Sequence, residues 1–295
     1  MKATVYDVIT DRILEKLEAG TVPWHKPWKG GDAGMPRNLK SMRAYRGINV
    51  FLLSCAGYGS PHWLTFRQAA QLGGSVRKGE KGFPVVFWKW PEKAGDNPGR
   101  DDRVQARGPL LRYYTVFNVA QSDGIDDPDA GDVPTRTFCP IEACERVVAT
   151  MPDPPRRVFG EARAYYRPSE DLVNLPPAEL FDSDEELYST LFHELVHSTG
   201  HSKRLSRPSV TDAVLFGSHA YSKEELVAEM GAAFLCGHAG IETATLDNSA
   251  AYIASWLDKL KNDKCLVVHA AAAAQKAADH ILGRELAQSV VRVAA

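Results

Sequence analysis

Between Ser183 and His201 the chain reads SDEELYSTLFHELVHSTGH, and within it His193, Glu194 and His197 are spaced H-E-x-x-H. On a helix, positions i and i+4 lie one turn apart on the same side, so both imidazoles face one way at a separation that a single metal ion can span. The flanking residues predict that helix. Ser183 followed by Glu186 makes a capping box, Asp184, Glu185 and Glu186 suit the positive end of the helix dipole, and Gly200 supplies a stop. Leu187, Leu191 and Leu195 recur every four residues and should face a core, which sets the histidines on a buried or half-buried flank. An amphipathic helix with two ordinary half-buried histidines would look similar, so the reading turns on a third ligand.

Neutral imidazole is a good zinc ligand, and a glutamate one position beyond the first ligand can take a proton from a water at the ion instead of binding it. This is how zincin-type zinc peptidases divide the labour, with Glu194 as the catalytic base. The metzincin extension H-E-x-x-H-x-x-G-x-x-H fails here, because Lys203 stands where its third histidine should be. The other zincin arrangement takes a glutamate from a downstream helix. Residues Tyr221 to Leu235 predict one, with Ser222 as N-cap and small residues at Ala228, Gly231 and Ala232 that permit close helix approach. Glu225 and Glu229 lie one turn apart on one face, so that one can ligate while the other hydrogen-bonds a ligating histidine. An E-x-x-A run followed by an acidic residue favours Glu225 as ligand. Glu225 also fits the capping-box position of Ser222, and both glutamates stay candidates. The expected cofactor is one Zn2+ or another divalent ion.

A chain of 295 residues accommodates two domains, and 44% apolar with 24% charged residues is an ordinary globular composition. The first twenty residues carry charges throughout and show neither a signal-peptide core nor an apolar run of spanning length, which predicts a cytoplasmic protein with no membrane partner. The five cysteines include no C-x-x-C pair, so neither a disulfide framework nor a thiolate metal site is indicated. The net charge of −2 hides an asymmetry: residues 1–122 hold 19 Lys+Arg against 10 Asp+Glu, and the remainder holds 16 against 27. A basic half predicts an anionic partner, most often nucleic acid.

Along the basic half, Val5, Ile9, Ile13 and Leu17 mark an amphipathic helix. An irregular aromatic segment with Trp24 and Trp28 follows, then a helix around Val50 to Cys55 and a short one capped by Thr65. Strands from Pro84 to Trp90 and from Leu111 to Val119 flank a polar loop, which makes a small α+β unit. Arg43, Arg46, Arg67, Arg77, Lys78 and Lys81 interleave with Tyr45, Trp63, Trp88, Tyr113 and Tyr114. Single-stranded nucleic acid suits that mixture, since cations follow phosphates while aromatic faces stack on bases. The acidic, Pro- and Gly-bearing run 123–136 reads as a linker between a domain at 1–122 and one at 137–295. In the second half, a helix at Ile141 to Thr150, strands at Arg163 to Tyr166 and Asp171 to Leu175, and helices at Ala250 to Leu260 and His269 to Leu282 complete a mainly helical unit. The first of those strands is a candidate edge strand beside the histidine helix.

Taken together, Tyr45 to Asn49, Trp63 to Ala69, Lys78 to Gly82, Phe117 to Gln121, His193 to His201 and Glu224 to Glu229 span nearly the whole chain. In these stretches it resembles the ArdC-type antirestriction proteins of conjugative plasmids, whose N-terminal part is shared with some plasmid primases. The resemblance implies an α+β protein of two domains, a small single-stranded-DNA-binding domain followed by a mainly helical zincin-like metallopeptidase domain. It also implies protection of incoming plasmid DNA from host restriction. The residues expected to meet DNA are Arg43, Tyr45, Arg46, Asn49, Trp63, Arg67, Lys78 and Lys81. Two rival readings stand beside it: a DNA-binding protein whose zincin domain is structural, and a proteolytic regulator of a protein or peptide substrate that binds no DNA.

Overall fold

The computed structural model describes residues 4–20, 22–23, 34–89, 110–129, 140–161, 163–181, 183–212, 219–241 and 250–284. The segment with Trp24 and Trp28, the polar loop 94–109 and the second half of the acidic run lie outside them. Helix α1 (Val5–Glu18) starts at Thr4, whose hydroxyl accepts from Asp7 N–H while the Asp7 carboxylate accepts from Thr4 N–H. Ile9, Ile13 and Leu17 are buried on one stripe, as their spacing requires.

The N-terminal sheet has the order β1-β2-β5-β4, built from β1 (Arg37–Asn38), β2 (His62–Leu64), β4 (Phe83–Lys89) and β5 (Leu110–Asn118). Its backbone is the antiparallel ribbon β4–β5, in register Val85↔Tyr114. Alternation along the ribbon splits its apolar residues between two cores. Val85 and Val116 join Tyr45, Leu53 and Trp63 in a small cluster, while Val86 and Leu111 join the main core. Helix α2 (Ile48–Ser54) packs beside β4, and α3 (Phe66–Gln71) is capped by Thr65 with Gln68. Strand β6 (Ser122–Asp123) pairs with β3 (Ser75–Val76) in a separate two-stranded sheet, and further on Asp127 Oδ1 lies 3.0 Å from His62 Nδ1 of β2. A Cβ on Gly74 would lie 2.4 Å from Ile125 Cγ1, so the β3–β6 pairing needs glycine there.

Helix α4 (Pro140–Thr150) leads to a three-stranded sheet of order β7-β9-β8, from β7 (Arg156–Phe159), β8 (Tyr165–Arg167) and β9 (Leu172–Leu175). The expected edge strand is β8, antiparallel to the fully buried β9 and next to the histidine helix α5 (Asp184–Thr199). After the short α6 (Pro208–Thr211), α7 (His219–Ala239) crosses α5, and α8 (Ala250–Asn262) and α9 (Leu266–Ile281) follow. No described helix is long and apolar enough to cross a membrane.

Close approach of α5 and α7 is set by Gly231, since a Cβ there would lie 2.7 Å from Val196 Cγ2. The alanine run of α9 has a packing role beyond helix propensity: Ala270, Ala271, Ala274, Ala277 and Ala278 are all buried in the main core. That core is continuous from α1, α2 and the β4–β5 ribbon into α4, α5, α7 and α9. Phe51 of α2 stacks on Phe234 of α7 with ring centroids 4.8 Å apart. Arg46 pairs with the buried Asp279 of α9, and Gly47 N–H donates to Gln275 Oε1 at 3.0 Å.

Candidate metal centre

His193 and His197 leave α5 on the side facing α7. Their ring Nε2 atoms stand 3.1 Å apart. Glu225 enters from α7 with Oε2 3.6 Å from His193 Nε2 and Oε1 3.7 Å from His197 Nε2. Among the described residues these three form the one His/Cys/Asp/Glu group close enough to share an ion, their donor atoms all within 4.8 Å of one another. Tetrahedral bonds of 2.0–2.1 Å put neighbouring donor atoms about 3.3 Å apart, so the three separations lie within a few tenths of an ångström of a ligand shell. Two imidazole nitrogens facing each other so closely repel if both are lone pairs, unless a proton or a cation sits between them.

The electrostatics favour positive charge at this point. Burial pushes the His197 pKa down, but the Glu224 hydrogen bond and the carboxylates of Glu194, Glu225 and Glu224 outweigh it and hold the pKa above the usual imidazole value. Glu224 Oε1 lies 3.4 Å from His197 Nδ1, the ring nitrogen facing away from Glu225. Burial would raise Glu224, yet its contacts with His197 and Arg207 bring it down to about 2. Glu194 is buried on α5 between the two histidines in sequence, and its charge acts on His197.

Several sequence expectations shift in detail. Helix α7 begins at His219, so Ser222 lies inside its first turn and does not cap it. Glu225 then falls in the second turn, past the capping-box position, and its carboxylate reaches the histidines. Ser183 Oγ does accept from Glu186 N–H, as expected of the α5 cap. Gly200 ends α5 with an ordinary right-handed φ of −72°, so conformational freedom is not its reason. It is needed for space, because a Cβ would come within 2.4 Å of Val210 Cγ2. Glu229 is buried one turn beyond Glu225 and falls outside the three-residue group. The carboxylate on His197 Nδ1 belongs to Glu224, which sequence reasoning passed over. Its adjacency to Glu225 was the available signal, since neighbours on a helix diverge by about 100° and serve different partners.

The expected DNA contacts divide. Arg43, Arg67, Lys78 and Lys81 are exposed. Trp63 is 2% exposed, edge-on to Tyr58 and Phe83, so its ring offers no face to a base. Tyr45 is buried, which pushes its phenol up to about 12. The buried Asn49 accepts from Val86 N–H at 2.7 Å and donates to Val86 O at 2.8 Å, extending the pairing of β4. Arg46 is engaged by Asp279. Aromatic faces are instead available at Tyr113, Tyr114 and Phe66, which are 49%, 45% and 63% exposed.

Residues 3–117 match the N-terminal domain of anti-restriction factor ArdC, and residues 148–273 match a zincin-like metallopeptidase. Two Escherichia coli proteins called DNA primase TraC are each 36% identical over 98% and 97% of this chain, which spans 28% and 20% of their lengths. The protein y4eC of Sinorhizobium fredii (strain NBRC 101917 / NGR234) is 37% identical over 93% of this chain and 90% of its own. The Mn(II)-bound crystal structure of the antirestriction ArdC protein from plasmid R388 superposes with a TM-score of 0.73 at 39% identity, covering 95% of this chain and 97% of that one. The metal-free form of the same protein gives 0.71 at 41% identity over the same shares.

Proposed function

This chain belongs to the ArdC antirestriction family, and from that premise we propose that it grips single-stranded DNA with its basic N-terminal half while holding a divalent cation between His193, His197 and Glu225. The observation that carries the metal half is the convergence of two Nε2 atoms and one carboxylate from two helices packed through Gly231. Zinc suits the nitrogen and carboxylate donors, and the Mn(II) found in the R388 relative makes manganese a second occupant to test. When bound, the cation supplies Lewis acidity that polarises a carbonyl oxygen and eases loss of a proton from water.

The chain's own residues supply the rest. Glu194 accepts the proton from the attacking water and hands it to the leaving amine. Strand β8, at a sheet edge beside α5, offers main-chain groups to an extended peptide. In the other half, Arg43, Arg67, Lys78 and Lys81 follow the phosphates, and Tyr113, on the face of β5 opposite Tyr114, offers a ring face to unpaired bases. Such a protein would coat incoming plasmid strands and protect them from host restriction.

Three measurements test this reading. Purified protein should carry about one divalent ion, retained in Glu194→Ala and Glu229→Gln and lost in Glu225→Ala; retention by Glu225→Ala would refute the ligand set. A gel shift with labelled single strands should weaken steeply with salt. Full protection by Glu194→Ala in a restriction assay would show that proteolysis is not needed for it.

A further inference from the structure

The tie between the two helices that carry the metal group runs through Arg207, a residue outside the H-E-x-x-H pattern and outside both glutamate positions that sequence spacing singled out. Its guanidinium is nearly buried and forks onto one carboxylate, with Nε 3.0 Å from Glu224 Oε2 and one terminal nitrogen 2.5 Å from Oε1. That same nitrogen donates to Val196 O at 2.8 Å, and the other donates to Thr199 Oγ1 at 2.6 Å. One planar group therefore fastens the last turn of α5 to the second turn of α7. Ser209 completes the enclosure of Glu224 by donating to Oε2 at 2.5 Å.

Arg207 is itself well anchored. Its N–H donates to Gly200 O at 3.0 Å, Pro208 starts α6 directly after it, and Val210 packs against the bare Cα of Gly200. Glu224 has only one carboxylate edge left for the site, the Oε1 that faces His197 Nδ1. A carboxylate accepting from Nδ1–H fixes the tautomer in which Nε2 carries the lone pair, and Nε2 of His197 is the atom turned towards His193 and Glu225. Glu225 follows Glu224 directly, so whatever fixes the rotation of α7 at one fixes it at the other.

We propose that Arg207 is a positioning residue of the metal site, acting through Glu224 to aim His197 Nε2 and Glu225 at a shared cation. The inference rests on the metal-binding reading above, and the two can fail separately. Nothing in it requires Arg207 to touch the ion or a substrate.

The test is a double-mutant cycle on metal affinity in the full chain. Mn2+ binding is followed by electron paramagnetic resonance of the free ion and Zn2+ binding by competition with a chelator, for wild type, Arg207→Met, Glu224→Gln and the double variant. Loss of a partner that orients a ligating histidine weakens affinity about 10- to 100-fold. Each single variant should show that loss, and the double variant should lose no more than the worse single one, because the two residues act in series. Arg207→Lys, which keeps the charge but not the fork, should fall between wild type and Arg207→Met. Circular dichroism selects folded variants, and Ser209→Ala gives a milder perturbation, with a smaller loss, should Arg207→Met not fold. Wild-type affinity in folded Arg207→Met, or losses that multiply in the double variant, would overturn the proposal. A wild-type protein that takes up neither ion would overturn the metal reading and this inference with it.

Discussion

Replacing Gly231 by alanine sets two calculable effects against each other. Helix propensity alone favours the change, since alanine stabilises a helix interior by about 1 kcal/mol over glycine. Packing opposes it, because the new Cβ would sit 2.7 Å and 2.8 Å from the two methyls of Val196. Ordinary contacts of this kind begin near 3.4 Å, so the helices must part by roughly 0.7 Å or Val196 must turn. Val196 is fully buried and β-branched, with one strongly preferred rotamer in a helix, so most of the strain passes to the backbone. Overpacking of this size costs about 1–3 kcal/mol. The expected net effect in chelator is a destabilisation of about 0–2 kcal/mol, read from urea unfolding. Separation of α5 from α7 also carries Glu225 away from His193 and His197, so metal-induced stabilisation should shrink further in Gly231→Ala. A variant that is about 1 kcal/mol more stable than wild type with unchanged metal affinity would refute the idea that this glycine sets the ligand spacing.

Three further outcomes follow from groups away from the ion. Asp171 is partly buried, which would raise its pKa, but donation from Arg204 and Tyr166 lowers it below the usual carboxylate value. Its contribution is therefore fully present above the unfolded value of about 3.9 and is lost as pH falls through the lower folded value. The Arg204 side chain is 0% exposed, so Asp171→Asn should cost about 3–5 kcal/mol at pH 7, and the gap from wild type should close in acid unfolding series. A gap that keeps its pH 7 size throughout the acid series would contradict this. On the N-terminal half, Tyr113→Ala should weaken single-strand binding by about 1–3 kcal/mol with an unchanged melting temperature, whereas Trp63→Ala should destabilise the fold by about 3–5 kcal/mol. A folded, stable Trp63→Ala that has lost DNA would reverse their assignments.

Local patterns carried much of this protein in the linear chain. The apolar period of four in α1 and α5 and the Thr65 cap each depend on residues within a few positions, so these helices were readable. The pairing of His193 with His197 was readable for the same reason, as helix geometry fixes an i, i+4 relation without help from the rest of the fold. Burial was less legible. Tyr45, Asn49 and Trp63 have the chemistry of a nucleic-acid contact, yet all three are enclosed by neighbours from β4 and the Tyr58–Phe83 cluster. A side chain's type does not reveal which of its faces is already occupied.

By itself the sequence determined the metal-type helix, the longer helices, the β4–β5 strands and the split of charge between halves, because these rest on spacing and composition; the short strands β1, β2, β3, β6 and β7 were not read from it. Tertiary structure alone decided that Glu225 meets the histidines while Glu224 backs one of them. It also decided that Arg207 ties α5 to α7, and that Arg46 docks on Asp279 across more than two hundred residues. The physical reason is that rotation of one helix against another is set by close packing, here Gly231 on Val196, and a rotation of 100° exchanges one glutamate for its neighbour.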